Sequence, residues 1–201
     1  MSKWAPKEKR IEDIVNAAIE VFLEKGYEGA SMEAIAKKAQ ISKGGLYHHF
    51  NSKEGILYFA NEKLCEPIEA FAETAINDPN AVDGIRSYIR NYIEYWVGHE
   101  KALTFFFLAL TKALACADVW ETYEGYYIKV QNLFTGLFEK GIQEKRLVAH
   151  DTKASSVALL SALDGILVYL VMSKSLTTGE VIDFFEKMFI SPLINTEQIT
   201  S

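Results

Sequence analysis

The stretch SMEAIAKKAQISKGGLYHHFNSK, residues 31–53, decides the fold. Ser31, Ser42 and Ser52 each precede a helical pattern, where a serine hydroxyl can accept a hydrogen bond from an otherwise unpaired backbone N–H. Apolar residues recur between these serines at helical spacing, and Leu46 and Phe50 stand four positions apart. Three helix starts in this short span predict two short helices and the beginning of a third. That is the layout of a helix-turn-helix.

The second short helix leaves small, polar and aromatic residues on its outer face. Gly44 and Gly45 would let backbone approach a DNA groove closely, although each costs about 1 kcal/mol of helix propensity relative to alanine. Tyr47 offers a hydroxyl to a phosphate, and His48 offers a ring nitrogen to a base edge or a phosphate. Lys53 is a cation in the first turn of a helix, where a bound phosphate would offset the unfavourable helix dipole. The alternative to a DNA-binding role is that the glycines serve close helix packing and that Lys53 is only solvated.

The sequence thus predicts a DNA-binding set made of helix caps, the reading helix and basic N-terminal residues. Its members are Lys7, Lys9, Arg10, Ser31, Met32, Ser42, Lys43, Gly44, Gly45, Tyr47, His48, Ser52 and Lys53. The N-terminal cations could form an arm along the DNA backbone, or they could be a solvated tail. Residues 1–53 hold nine Lys and Arg against seven Asp and Glu, a net charge of +2, and the remaining 12 against 20 give −8. The acidic remainder favours approach to DNA through the basic end.

Residues 7–57 resemble the DNA-binding domain of the tetracycline-repressor (TetR) family of transcription regulators. The residues that carry the resemblance are Ile14, Ala17, Ala18, Phe22, Gly26, Tyr27, Ser31, Ile35, Ala36, Ala39, Ser42, Lys43, Gly44, Leu46, Tyr47, Phe50, Ser52, Lys53 and Glu54. Gln40 departs from the pattern in a turn where the family usually has glycine, and Gly45 stands where a side chain often reads a base. The resemblance covers 51 of 201 residues. It implies double-stranded operator DNA, a small-molecule effector and a second copy of the chain as partners.

Helical patterns continue along the rest of the chain, so we predict an all-α protein of about nine helices. We place a helix-turn-helix DNA-binding domain at residues 1–53 and a helical effector-binding and dimerisation domain at residues 54–201. Gly26 is expected to end the first helix, and Pro67 to kink or end the fourth. Caps for the seventh, eighth and ninth helices are expected at Asp118, Asp151 and Thr178.

The eighth predicted helix is apolar around most of its circumference and needs cover on more than one side. In the family, the last two long helices form a four-helix dimer interface. The resemblance implies this role for Val157, Leu160, Ser161, Asp164, Val168, Val181, Phe184, Phe185 and Met188. A central helix buried within one chain is the alternative. Asp164 could instead meet a cationic ligand group, although we favour a hydrogen bond at the dimer seam.

Aromatic residues are concentrated in the middle of the chain. Rings with polar tips are typical of small-molecule pockets, and ordinary core is the alternative interpretation. The family places its effector pocket among these helices. The candidate ligand-binding residues are Tyr88, Tyr92, Trp96, His99, Phe106, Phe107, Trp120, Tyr123, Tyr127 and Phe134. We expect a mainly apolar or aromatic effector.

Other classes of function lack their sequence signals. The chain has no glycine-rich phosphate loop after a strand, no HExxH and no nucleophile elbow, so we expect no enzyme and no cofactor. His48 and His49 are consecutive on a helix, so their side chains diverge and cannot bind one metal ion together. The two cysteines suggest neither a disulfide framework nor a zinc site. The N-terminus does not resemble a signal peptide, and residues 157–172 are too short to span a bilayer comfortably, which predicts a soluble cytoplasmic protein. The rival hypotheses are a structural DNA-binding protein without an effector and a small helical enzyme.

Overall fold

The computed structural model describes residues 7–115, 117–173 and 175–196, with side chains except those of Lys7, 117–123, Tyr126 and Val171. The helices in this part are α1 (Lys7–Gly29), α2 (Met32–Lys38), α3 (Lys43–Tyr47), α4 (Lys53–Asn77), α5 (Ala81–Gly98), α6 (Glu100–Leu114), α7 (Ala117–Gln143), α8 (Thr152–Met172) and α9 (Thr178–Phe185). A π-helical turn at Glu186–Ile190 and a 3-10 turn at Ser191–Leu193 follow α9. These ranges contain one isolated β-bridge, between Leu147 and Ile194, and no strand. The all-α prediction is confirmed.

The chain forms two compact units. The N-terminal unit comprises the residues up to Glu66 together with Thr104–Lys112, and the larger unit comprises Pro67–Leu103 with the residues from Ala113 onwards. The helices α4 and α6 therefore contribute residues to both units. The boundary expected after residue 53 is corrected, because the first half of α4 supplies buried apolar side chains to the N-terminal core.

The N-terminal unit is built on one apolar core. Its members come from α1, α2, α3, the first half of α4 and the Thr104–Lys112 stretch of α6; the largest are Phe22, Ile14, Ile35, Leu46, Ile56, Leu57 and Phe105. Gly26 breaks α1 shortly before its end, with φ at 69° and ψ at 167°. Only glycine adopts this left-handed region without strain, so Gly26 interrupts the first helix as predicted.

The helix α5 lies at the centre of the larger unit and contacts α7, α8 and α9. Its buried residues are Ala81, Val82, Gly84, Ile85, Tyr88, Ile89, Tyr92, Ile93 and Trp96. An ion pair fixes one side of α5, because Arg86 Nε and Nη2 donate to the two carboxylate oxygens of Glu186 at 2.9 and 2.7 Å. Because α5 packs against three helices, its apolar residues recur at helical spacing on the buried side, and its polar residues lie on the exposed side.

Helix boundaries follow the local signals to within a residue or two, and one predicted cap requires correction. Asp151 caps α8 as predicted, since its side chain accepts from Ala154 N at 2.9 Å. The cap of α9 is Thr177 rather than Thr178, because Glu180 lies three residues after Thr177 and completes a capping box. The side chain of Asp118, the predicted cap of α7, lies outside the described part. The helix α4 continues through Pro67 to Asn77.

We predict that Gly84→Ala destabilises the larger unit. A Cβ atom on Gly84 would lie 2.4 Å from the carbonyl oxygen of Ala75 in α4, so the two backbones would have to separate. The expected loss in the free energy of unfolding is about 1–3 kcal/mol, measured by urea denaturation. Gly98→Ala is the control, because a Cβ on Gly98 meets no atom within 4 Å. Equal stability of the two variants would show that α4 and α5 separate without cost.

Candidate nucleic-acid interface and effector region

The three predicted serine caps are present at the helix-turn-helix. The backbone N–H three residues further along donates to each hydroxyl, at 3.2 Å for Ser31, 3.0 Å for Ser42 and 3.1 Å for Ser52. Each hydroxyl thereby satisfies a donor that has no partner within its helix. The caps fix where α2, α3 and α4 begin.

The turn between α2 and α3 keeps a left-handed residue although glycine is absent. Gln40 has φ at 55°, and Ile41 N donates to Ala36 O at 3.0 Å across the turn. A side chain in this region costs about 1–2 kcal/mol relative to its usual conformation. The turn therefore accepts a strained residue at Gln40, and the hydrogen bond from Ile41 N still closes it.

The reading helix α3 presents one buried anchor and an exposed outer face. Leu46 is fully buried, whereas Lys43, Gly44, Tyr47 and His48 are exposed. A Cβ on Gly44 would meet nothing within 4 Å, so packing inside the protein does not explain this glycine. Gly45 differs, because its Cβ would lie 3.2 Å from Ser42 Oγ and press on the cap. Close packing thus accounts for Gly45 alone.

Two parts of the predicted DNA-binding set require correction. Met32 is 7% exposed and lies in the N-terminal core, so its side chain cannot contact DNA. The basic residues Lys9 and Arg10 belong to α1, which starts at Lys7, and so lie on a helix and not on an extended arm. Lys9 is exposed and Arg10 is half-buried, while the side chain of Lys7 lies outside the described part.

Lys53 has its negative partners within the chain. Its Nζ donates to the carbonyl oxygens of Tyr27 and Ala30, at 2.9 and 3.4 Å, and lies 4.3 Å from the centroid of the Tyr27 ring. These carbonyls at the end of α1 and the ring face stabilise the cation. The argument that Lys53 requires a phosphate is therefore corrected, since its ammonium is already bound.

Tyr27 is the centre of a network that the sequence interpretation missed. Its hydroxyl donates to the Glu54 carboxylate, and Lys112 Nζ lies 4.4 Å from its ring centroid while pairing with Glu28. Burial of the ring, together with the hydrogen bond to Glu54, raises the pKa of Tyr27. The same hydrogen bond lowers the pKa of Glu54. The network joins α1, α4 and α6 within the N-terminal unit.

We predict that Lys53→Met acts on stability and not on phosphate contact. Loss of hydrogen bonds from a charged group should lower the free energy of unfolding by about 1–3 kcal/mol, measured by chemical denaturation. The salt dependence of DNA binding should stay unchanged. Lys37→Met, which removes an exposed lysine of the same unit, is the control. Unchanged stability with a salt slope reduced by about 1 per half-site would assign Lys53 to a phosphate.

The larger unit brings half of the candidate ligand-binding residues together. Tyr88, Tyr92 and Trp96 occupy successive turns of α5 and are buried, with the Tyr88 and Tyr92 rings stacked at 5.8 Å between centroids. Phe134 of α7 meets the Tyr88 ring edge to face at 4.9 Å. With Tyr127 these four residues form a set that we name the aromatic cluster.

Asp164 is the polar centre of this cluster. Its Oδ1 accepts a hydrogen bond from the Tyr92 hydroxyl at 3.0 Å, and its Oδ2 accepts one from the Tyr127 hydroxyl at 3.1 Å. Burial raises the pKa of the Asp164 carboxyl, and the two hydroxyls oppose that rise. The carboxylate is thus bound by α5 and α7 of its own chain, and its place at the dimer seam stays a prediction.

The other candidates lie elsewhere. His99 is exposed, with Nδ1 2.7 Å from the Tyr95 carbonyl oxygen, so it is not enclosed in the cluster. Phe106 and Phe107 lie in the Thr104–Lys112 stretch, which belongs to the N-terminal unit. The side chains of Trp120 and Tyr123 lie outside the described part. Sequence reasoning missed Tyr95, whose ring is 5.0 Å from that of Trp96.

Large apolar side chains are exposed on α8, on α9 and on the π-helical turn after α9. We name as the α8–α9 face the exposed side chains of Val157, Val168, Tyr169, Met172, Phe184 and Met188. Met172 and Met188 are 82% and 71% exposed. The predicted set included four of these six residues, together with Ser161, which is exposed, and Leu160, which is half-buried. Val181 and Phe185 are corrected, because at 0% and 5% exposure they lie in the core of their own chain.

The apolar part of α8 begins before the stretch 157–172. Among the described residues, Thr152–Leu170 is the one stretch long and apolar enough to cross a membrane, with mean hydropathy 1.4 and 22% of its residues buried. The expectation that it is too short is therefore wrong. Its polar side chains nevertheless bond within the chain, since Thr135 Oγ1 donates to Ser156 Oγ at 3.1 Å and Asp164 accepts from two tyrosines. No cluster of metal-ligating side chains is found in the ranges described.

The helix-turn-helix matches known proteins in sequence. The family described as bacterial regulatory proteins, tetR family, has a sequence model that matches residues 14–58. The Transposon Tn10 TetC protein of Escherichia coli is 27% identical over 142 residues, which are 70% of each chain. The HTH-type transcriptional regulator UidR of Escherichia coli strain K12 is 57% identical over 44 residues, and these span only 22% of each chain.

The similarity in structure extends over both units. FadR from Bacillus subtilis, a transcriptional regulator solved in complex with stearoyl-CoA, has a TM-score of 0.74 at 20% identity. The match covers 90% of this chain and 98% of FadR, and at that identity it shows the shared fold. The helix-turn-helix of this chain is therefore similar to that of the TetR family of transcriptional regulators, and the chain as a whole shares the fold of such a regulator.

Proposed function

We propose that this chain is a ligand-responsive repressor that binds a pseudo-palindromic operator as a homodimer and is released by a small effector. The observation that carries the proposal is that one chain combines an exposed reading helix with the exposed α8–α9 face. The first can contact bases, and the second can hold two copies together. As part of this proposal the protein is soluble and cytoplasmic, like the DNA-binding regulators whose helix-turn-helix it resembles.

Dimerisation follows from both features. A reading helix of five residues contacts too few bases for useful specificity, whereas two copies in successive major grooves read a palindrome. The α8–α9 face exposes large apolar side chains on consecutive elements of the chain, and large exposed apolar patches mark interaction sites. Within each half-site, Tyr47 would contact a phosphate and His48 a base edge.

The proposed switch uses differential affinity. An effector that binds the DNA-incompetent arrangement of the dimer more tightly shifts the population towards it and so releases the operator. The helices α4 and α6 each belong to both units, which makes them the covalent route for such a change. Pro67 stands at the point where α4 passes from one unit to the other.

The aromatic cluster supports a mainly apolar or aromatic effector. The rings of Tyr88, Tyr92, Trp96 and Phe134 supply apolar area, and the Asp164 carboxylate with its two phenols supplies a polar group that can orient a ligand. FadR was solved with stearoyl-CoA, whose acyl chain is apolar. An alternative function is supported by the near-complete burial of Tyr88 and Trp96, which suits an ordinary core. The chain would then be a DNA-binding structural protein without an effector.

Selection of bound duplexes from a random pool tests the DNA-binding part. We expect a pseudo-palindrome with half-site centres about 34–36 Å apart or a multiple of that distance. Val168→Glu should place a charge on the α8–α9 face, convert the dimer to a monomer in sedimentation and weaken operator binding at least about tenfold. Val148→Glu, at an exposed valine outside that face, is the control. A functional asymmetric site bound by one copy would contradict the proposal.

Release of the protein from its operator by screened compounds tests the effector part. Tyr92→Ala should weaken the response to a releasing compound while leaving the affinity for DNA alone unchanged. Tyr92→Phe, which keeps the ring and removes the hydroxyl bound to Asp164, should give an intermediate response. Tryptophan fluorescence should change with the same concentration dependence as release. Operator DNA should weaken ligand binding, and ligand should weaken operator binding, by the same factor. A response indifferent to both variants would identify the cluster as core only.

A further inference from the structure

Lys43, the first residue of the reading helix, is held by two groups of its own unit. Its ammonium is ion-paired with the Glu33 carboxylate of α2 and lies 5.9 Å from the centroid of the Tyr47 ring. The side chains of Lys43 and Glu33 are 56% and 59% exposed, so the pair lies on the surface of the helix-turn-helix. Its two members come from the two helices of the motif, and the contact spans the turn between them.

The pair changes the charge that the reading helix presents to DNA. The hydrogen bond between the two side chains lowers the pKa of Glu33 and raises the pKa of Lys43, so both are ionised around neutral pH. A phosphate that approaches Lys43 therefore meets a cation whose charge is compensated and a carboxylate that repels it. Lys43 therefore adds little to the affinity for phosphates alone.

The pair also orders the lysine before DNA arrives. A lysine side chain loses much rotamer freedom when it is fixed in one position. Glu33 and Tyr47 restrict the Lys43 side chain already in the free protein. Binding at one defined position in the groove therefore costs this rotamer entropy no second time. Contact with an arbitrary phosphate benefits instead from a mobile cation that can follow the backbone.

We propose that Glu33 is a positioning residue that sets DNA specificity. It holds Lys43 towards a base edge of the operator half-site and withholds the lysine's charge from the phosphates of unrelated DNA. The ammonium has two N–H donors beyond the one given to Glu33, and lysine donors suit the O6 and N7 acceptors of guanine. This inference rests on the proposed function, because it requires α3 to enter a major groove.

The test compares Glu33→Gln with Glu20→Gln. Both remove one negative charge from an ion pair of the same unit, and Glu20 pairs with Lys38, a lysine of α2 outside the predicted DNA-binding set. Affinities are measured across a salt series for the selected operator and for a scrambled duplex of equal composition. We expect Glu33→Gln to bind the scrambled duplex about 1.5- to 5-fold more tightly. Its salt slope should steepen by about 1 per half-site.

Operator binding by Glu33→Gln should not tighten, so the ratio of operator to scrambled affinity falls, whereas Glu20→Gln leaves that ratio unchanged. Unfolding midpoints check that both variants fold. In a Lys43→Met background, Glu33→Gln should have no further effect on the ratio or on the salt slope. Selection with Lys43→Met alone should lose preference for guanine at one position per half-site.

Equal tightening of Glu33→Gln on both duplexes would overturn the inference, because it would show that removal of charge alone is responsible. Tightening that persists without Lys43, or an unchanged guanine preference in the Lys43→Met selection, would overturn it as well. Failure of the wild-type protein to enrich any duplex would refute the proposed function. A wild-type protein that enriches an operator while Glu33→Gln behaves like Glu20→Gln would refute only the role of Glu33.

Discussion

Burial of Leu46 is the constraint on which the reading surface depends. The helix α3 has five residues, two of them glycine, and a helix this short has no independent stability in water. Leu46 is fully buried with Ile35 and Ile56 in the N-terminal core, and burial of a leucine contributes about 1.5–3 kcal/mol. The hydroxyl of Ser42 fixes the start of the same helix. Because Leu46 packs inward, the other side chains of α3 point outward.

Three lysines of the N-terminal unit are held by groups of the same unit. Lys38 is paired with two glutamates of α1, Lys43 with Glu33, and Lys53 with backbone carbonyls. Exposed cations give affinity for any duplex, whereas cations held at fixed positions favour one arrangement of acceptors. The unit is thus suited to recognise DNA by the placement of a few groups more than by bulk charge.

Features set by neighbouring residues could be predicted from the sequence, and features set by distant residues could not. The serine caps, the break at Gly26 and the burial of Leu46 all follow from patterns a few residues long. The partners of Lys53 lie more than twenty positions away, and no local pattern reveals them. Val181 and Phe185 share an apolar pattern with their exposed neighbours, so only the structure separates core from surface on α9. The position of the unit boundary likewise depends on the non-local packing of α4 and α6.

The N-terminal unit is discontinuous along the chain, because Thr104–Lys112 of α6 completes it. Phe105 and Ala109 from this stretch lie in the N-terminal core, and the rings of Phe105 and Phe22 are 6.0 Å apart between centroids. A fragment that stops at the end of the helix-turn-helix would leave an apolar surface without its cover. The helix-turn-helix is therefore not a self-contained folding unit. A recombination event that exchanged only the first third of the gene would separate the N-terminal core from the part of α6 that completes it, so we expect the two stretches of sequence to be inherited as one piece.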